Sequence, residues 1–170
     1  MWAFVLPMAY QTSLGTADII VGMAITGKYF SLTTALHQPF IQNRNEFLPE
    51  DYPDGIITEN YISTRGYHRK GDVLLRLSHP VKFRNNQWAL ISSILPIYHL
   101  GNDSYVDSTG HRYEISVSGG LTLNLNLFLL YRVNESNHIE ISAGAPVISR
   151  KVRPDGLGQF SLGVEYVIDF

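Results

Sequence analysis

Apolar and polar residues alternate with a period of two along most of this chain, most strictly near its end. Phe160, Leu162, Val164, Tyr166, Ile168 and Phe170 fall on one face of an extended segment, and Gln159, Ser161, Gly163, Glu165, Val167 and Asp169 on the other. Side chains of a strand point alternately to opposite sides, so this is a ribbon with one wholly apolar surface and one mostly polar or small. A soluble sandwich turns such an apolar face inward, whereas a transmembrane barrel turns it out against lipid and lines its lumen with the polar face. Alternation by itself does not separate the two.

Earlier segments follow the same rule. Residues 2–10 are apolar on both faces and predict a first strand. Residues 16–26 set Ala17, Ile19, Val21, Met23 and Ile25 against Asp18, Ile20, Gly22, Ala24 and Thr26, and a tight turn at Thr26, Gly27 and Lys28 leads into a return strand over 29–40. Residues 71–83 and 88–98 predict a hairpin around Asn85 and Asn86, two residues that tolerate left-handed geometry. The stretch 113–133 is too long for one membrane-crossing strand of about 9–11 residues. It is read as a single crossing with a bulge at Gly119 and Gly120, because strand parity then brings the last strand back to the inner side. Within it Leu121, Leu123, Leu125, Leu127 and Leu129 form an apolar row opposite Thr122, Asn124 and Asn126. Residues 138–149 and the final strand complete about eight. Two polar stretches interrupt them, a long loop over about 41–70 and a second over about 99–112.

Composition sharpens the picture. Only 16% of the residues are charged, against about 25% in ordinary soluble domains, which points to a large surface that does not meet water. No apolar run approaches the roughly 18 residues of a membrane helix, so any crossing must be made by strands. A net charge of −2 predicts no nucleic-acid partner, and without cysteine there is neither a disulfide nor a thiolate metal site. One domain is expected over residues 1–170. The opening residues carry no basic leader, and strand-like sequence is already present at Trp2. We therefore expect these 170 residues to be the carboxy-terminal part of a longer protein.

Aromatic residues fall at strand ends, with Phe30, Phe83, Trp88, Tyr131 and Phe170 at the expected inner ends and Tyr10, Phe40, Tyr98 and Phe160 at the outer ends. Two such girdles suit a pair of membrane interfaces. Pro7, Pro39, Pro80, Pro96 and Pro146 sit in or beside expected strands, where each removes a ladder donor. Pro80 alone has no account from the pattern.

No spacing typical of a hydrolase, a metalloprotease or a phosphate loop is present. His37, His79, His99 and His111 lie in different strands or loops, and sequence brings none of them to a particular serine. Glu50, Asp51 and Asp54, or Asp103 and Asp107, offer hard oxygens for Ca²⁺ without the spacing of a dedicated loop, so no cofactor is expected. The more informative set is the polar row facing the expected lumen: Asp18, Arg76, Lys82, Asn124, Asn126, Arg132, Glu140, Glu165 and Asp169. Such charges either pair and plug a narrow barrel or line a wet channel in a wider one, so strand number bears on function.

The closing aromatic strand, with Phe160 and Phe170 at its two ends, resembles the terminal signal of bacterial outer-membrane β-barrels. Together with the turn Arg153, Pro154, Asp155, Gly156 and Leu157, it also resembles the end of outer-membrane proteins associated with meta-pathway phenol degradation. The resemblance covers about the last fifth of the chain. It implies an all-β fold, an antiparallel transmembrane β-barrel of about eight strands or the C-terminal arc of a larger, for example twelve-stranded, one. It also implies a bacterial outer-membrane location. The lipid bilayer, the barrel-assembly machinery acting through the C-terminal strand, and a small-molecule solute would be its partners. The expected function is passive passage of small, hydrophobic or aromatic molecules. A barrel enzyme acting on lipid and a structural or adhesive barrel with partner-binding loops are the alternatives.

Overall fold

The computed structural model describes residues 5, 8, 15–52, 61, 63–153 and 160–168. Nine strands follow one another among them: β1 (Ala17–Thr26), β2 (Ser31–Ile41), β3 (Asp72–Phe83), β4 (Trp88–His99), β5 (Ser104–Val106), β6 (Arg112–Glu114), β7 (Gly120–Arg132), β8 (Asn137–Ile148) and β9 (Ser161–Ile168). Seven form one sheet in the order β1-β2-β3-β4-β7-β8-β9, every neighbouring pair antiparallel, while β5 and β6 make a small second sheet. The chain is thus all-β, and its main sheet has seven described strands rather than eight.

The sheet curls into a half-barrel. Its concave side is identified by Arg76 of β3, whose guanidinium lies 5.1 Å from the Phe128 ring of β7 although β4 runs between the two strands. Curling crowds the inner face, and the sequence answers with small residues. The ladders join Thr26, Ser31, Ser78, Ser93, Asn126, Gly144 and Ser161 into a single inner row across all seven strands. A Cβ on Gly144 would stand 2.6 Å from Asn126 Oδ1, so a side chain there would displace that amide.

The opposite, convex face is apolar and open. Val21 (66% exposed), Met23 (65%), Leu127 (51%) and Val164 (70%) all lie on it, and the row from Leu121 to Leu129 runs through its centre. Around its turn end Phe83, Trp88 and Tyr131 stack side by side, with ring centroids 6.4 and 4.5 Å apart. Phe40, Tyr98 and Phe160 are exposed towards the other end.

Among the described residues no apolar core lies within the sheet itself. The buried apolar side chains among the described residues sit in loops that cap one end, where Met8, Tyr67 and Ile115 pack together and Phe47 is enclosed. Three expectations meet the structure here, and one of them is corrected. The expected first strand over residues 2–10 lies outside the described residues except for Val5 and Met8, and Met8 belongs to the cap core. Within the expected long loop over 41–70, the described parts are tied together by Thr64 N–H to Phe47 O (3.1 Å) and Gly66 N–H to Asn45 O (2.8 Å). It is also joined to the second loop by a bridge between His68 and Ser104. Finally, residues 113–133 are not one bulged strand. They divide into β6, paired with β5, and β7, with Val117 (φ 59°) and Gly120 (φ 117°) turning the backbone between them.

Register also accounts for the prolines. Pro80 lies beyond Ser78, the last residue that β3 pairs with β2, so on that flank it deprives no ladder partner. Pro146 sits at the irregularity where β7 and β8 shift register beside Asn124. Pro7 lies outside the described residues, as do the turn 154–157 and residues 169–170.

Candidate functional site

The cap end of the concave face carries a continuous chain of charged side chains, and the ladders explain why. Facing residues on adjacent strands share a side, so the register His37↔Asp72↔His99 across β2, β3 and β4 sets three titratable groups in a row. His37 Nδ1 donates to Asp72 Oδ2 at 3.0 Å and its Nε2 to Asp18 Oδ2 at 2.8 Å. His99 Nδ1 donates to Asp72 Oδ1 at 2.7 Å and its Nε2 to Asp103 Oδ1 at 2.8 Å. Each imidazole is thus bracketed by two carboxylates, one at each ring nitrogen.

The loops complete the chain. Arg69 Nη2 donates to Asp72 Oδ2 at 2.8 Å, Tyr67 Oη to Asp103 Oδ2 at 2.6 Å, and the Lys70 N–H to Asp103 Oδ1 at 2.9 Å. Three carboxylates thus face two imidazoles and a guanidinium. Balanced charge of this kind permits burial as deep as 1% exposure for His99 and Asp103, since a buried ion without a partner costs several kcal/mol, roughly. Burial pushes the Asp103 carboxyl up, but the bonds from His99, Tyr67 and the Lys70 N–H outweigh it and hold the group below the ordinary aspartate range.

Both ring nitrogens of His37 and His99 are thereby committed to carboxylates. Among the described residues neither histidine meets a serine or threonine hydroxyl, the contact a hydrolytic triad needs. Asp103 is engaged inside the cap, and Asp107 is turned into its own loop, accepting from the Thr109 and His111 N–H groups at 2.9 and 2.8 Å. Among the described residues no three His, Cys, Asp or Glu side chains are grouped to hold a metal ion.

Beside this chain opens a cavity of about 340 Å³, walled by His37, Arg69 and Asp72 on one side and by Thr122, Arg150 and Arg153 on the other. Further along the concave face lie Arg76, Ser78 and Ser93. Ser93 Oγ and Thr122 Oγ1 are enclosed, in residues only 5% and 4% exposed, and have no hydrogen-bond partner among the described residues.

The register places Asp18, Arg76, Lys82, Asn124, Asn126, Arg132, Glu140 and Glu165 all on the concave face. They do not form one cluster. Asp18 joins the cap chain, Arg76 spans the middle, and Lys82 and Arg132 border a cleft at the turn end. Glu140 and Glu165 face each other directly across β8 and β9. Leu162, Val164, Tyr166 and Ile168 share the convex side of β9, and Phe160 precedes them, 67% exposed. Sequence reasoning missed Asp72, Arg69 and Tyr67, and named Asp103 only as a possible calcium ligand. The first had a signal: by parity Asp72 lies on the Arg76 side of its strand, at the level of the strand end. The others sit in loops, where no period applies.

Compared with known proteins, the chain matches no family model, no curated protein and no solved structure.

Proposed function

We propose that this chain forms an arc of a transmembrane β-barrel in a bacterial outer membrane, built for passive passage of small molecules. The observation that carries the reading is the distribution of polarity over the curled sheet. Its convex face is an exposed apolar surface spanning seven strands, and its concave face holds the charged and small polar residues. In water such a face is an aggregation liability, since soluble monomers rarely expose apolar patches beyond about 300–600 Å². Against lipid it is the surface a barrel requires.

The edges fit the same reading. Among the described residues no ladder joins β1 to β9, and an unpaired strand edge is not tolerated in hydrocarbon. A wider ring, for instance of twelve strands, supplies the missing neighbours and leaves a lumen that side chains do not fill. Solutes of the hydrophobic or aromatic kind suit the alternation of Leu74, Ile97 and Phe128 with hydroxyls on the concave wall. The row Phe160, Leu162, Val164, Tyr166, Ile168 and Phe170 is the segment offered to the assembly machinery.

Fractionation of cells making the full-length protein, followed by single-channel recording in planar bilayers, tests both halves. We expect recovery in the outer membrane and stepwise conductance. Recovery in the soluble fraction sinks the membrane reading. Membrane recovery with closed bilayers sinks passage and favours a structural barrel. Removal of Phe170 should impair assembly far more than replacement of Asp169, and equal assembly of the two variants would dismiss the terminal segment as a signal.

A further inference from the structure

We infer that a hollow in the convex face, lined by His79 and Ser92, is a binding site for a small apolar molecule that carries one hydroxyl group. The inference rests on the reading of this face as lipid-facing, and it adds a side from which such a solute meets the protein, the bilayer.

Every convex position of β3 from Val73 to Phe83 is apolar except His79, and every convex position of β4 from Trp88 to Tyr98 is apolar or aromatic except Ser92. The register sets these two exceptions directly opposite each other, so one polar pair interrupts the face at a single spot. Both residues are exposed. Each stands four residues from an aromatic of the turn-end girdle, Phe83 or Trp88. That is about 13 Å along a strand, which carries the pair past the interface and into hydrocarbon. Around it opens a hollow of about 360 Å³, rimmed by Leu77, Ile94, Leu125 and Leu127. These residues lie in the middle of β3, β4 and β7, so described strands build the wall. Small-molecule pockets run from about 300 to 1,000 Å³, and a hollow at the lower end suits a single ring.

The hydrogen-bonding state of the pair is a second, independent observation. Beyond Ser78, β3 has no ladder partner on the β2 side among the described residues, and His79 reaches instead to the β1–β2 turn, where its Nδ1 donates to the Tyr29 carbonyl. A carbonyl only accepts, so Nδ1 holds the proton of the neutral ring and Nε2 is left as an acceptor. Neither Nε2 nor Ser92 Oγ bonds to a described residue, and the two do not bond each other. Hydrocarbon offers them no partner. A hydroxyl supplies both needs, its O–H donating to Nε2 while its oxygen accepts from Ser92, and the rest of the molecule lies against the four aliphatic side chains. Charge is excluded, because the hollow is reached through hydrocarbon. A second copy of the chain docking here about a two-fold axis would set hollow against hollow and leave it unfilled.

Fluorine NMR of 4-fluorobenzyl alcohol added to the full-length protein in lipid nanodiscs tests the inference, with 4-fluorotoluene as the counterpart without a hydroxyl. We expect a saturable bound resonance for the alcohol, and for 4-fluorotoluene only partition into lipid that rises linearly with concentration. Ser92→Ala and His79→Leu should each weaken the alcohol about fivefold, the effect of losing one hydrogen bond of about 1 kcal/mol. Ser161→Ala, on the concave side of β9, should leave it unchanged. Ser92→Ala trims one exposed hydroxyl and so retains the fold, which near-ultraviolet circular dichroism checks. Equal saturable binding of both compounds, saturation by neither, or full affinity in both variants would overturn the assignment. A stable dimer in nanodiscs that His79→Leu dissociates would overturn it too, by giving the pair to a second copy. Membrane recovery without saturable alcohol binding refutes this inference alone, whereas recovery in the soluble fraction refutes the lipid-facing reading beneath it.

Discussion

Single residues at the cap decide whether a charged chain is a liability or a clamp. His99 is 1% exposed and holds Asp72 and Asp103 at once, so replacing it leaves two buried carboxylates each short of a partner. His99→Leu should destabilise the folded protein by about 3–5 kcal/mol, the cost of breaking a buried pair from one side. Denaturant unfolding in micelles measures it, and a loss below about 1 kcal/mol would mean that the chain is solvated. Acid acts on the same group from the other side. Asp103 is held below its ordinary value in the folded protein and titrates near 3.9, roughly, when unfolded. Its contribution is therefore complete above about pH 4 and is lost as pH falls through the depressed folded value. Hydrogen exchange of the Lys70 amide, which donates to Asp103, should accelerate only in that acid window. Acceleration already near neutrality would contradict the assignment.

At the scale of elements, close approach on the concave face and left-handed turns carry the strongest demands. A Cβ on Gly22 would stand 2.7 Å from the Thr34 carbonyl oxygen, a backbone atom that cannot swing away. Gly22→Val should thus loosen the β1–β2 hairpin by about 1–3 kcal/mol, the usual cost of overpacking, and speed amide exchange in β1 before the other strands. The β3–β4 turn is set by three successive positive φ values, at Arg84 (50°), Asn85 (53°) and Asn86 (65°), and is closed by Gln87 N–H to Arg84 O at 3.0 Å. A β-branched residue resists this geometry, so Asn86→Val should cost about 1–2 kcal/mol in the same unfolding assay. An unchanged midpoint would show that the turn does not limit the hairpin.

For the molecule as a whole, the two faces of the sheet make opposite predictions. Leu127 stands 51% exposed in the convex row, and Ser161 lies on the concave side of β9. In water, arginine at either position is nearly neutral. In a bilayer, Leu127→Arg should cost about 2–4 kcal/mol of membrane stability and Ser161→Arg close to nothing. Folding titrations in lipid vesicles compare the two, and equal penalties would remove the argument for a lipid-facing convex surface. The same comparison bears on the cap, because it contains the only compact apolar core among the described residues, Met8, Tyr67 and Ile115. A cap that keeps its fold while the strands are perturbed would unfold in a separate transition.

Which face the alternating strands turn was legible in the sequence, because alternation is a local property and needs no knowledge of neighbours, whereas residues 88–98, mainly apolar on both faces, gave no clear facing. Leu121 to Leu129 on one side, Asn124 and Asn126 on the other, and the left-handed pair Asn85 and Asn86 are all settled by the spacing of side chains and by backbone preference. The division of 113–133 into β6 and β7 was not legible, since it depends on Ser104–Val106 capturing Arg112–Glu114 from a distance. Only tertiary structure brought Asp18, His37, Asp72, His99 and Asp103 into one chain. Their contacts span up to 35 residues of sequence, and their depth of burial comes from loops whose residues repeat with no period. Periodicity carries information along an element, whereas register and packing between elements are fixed by contacts that exist only once the sheet has curled and the cap has closed over its end.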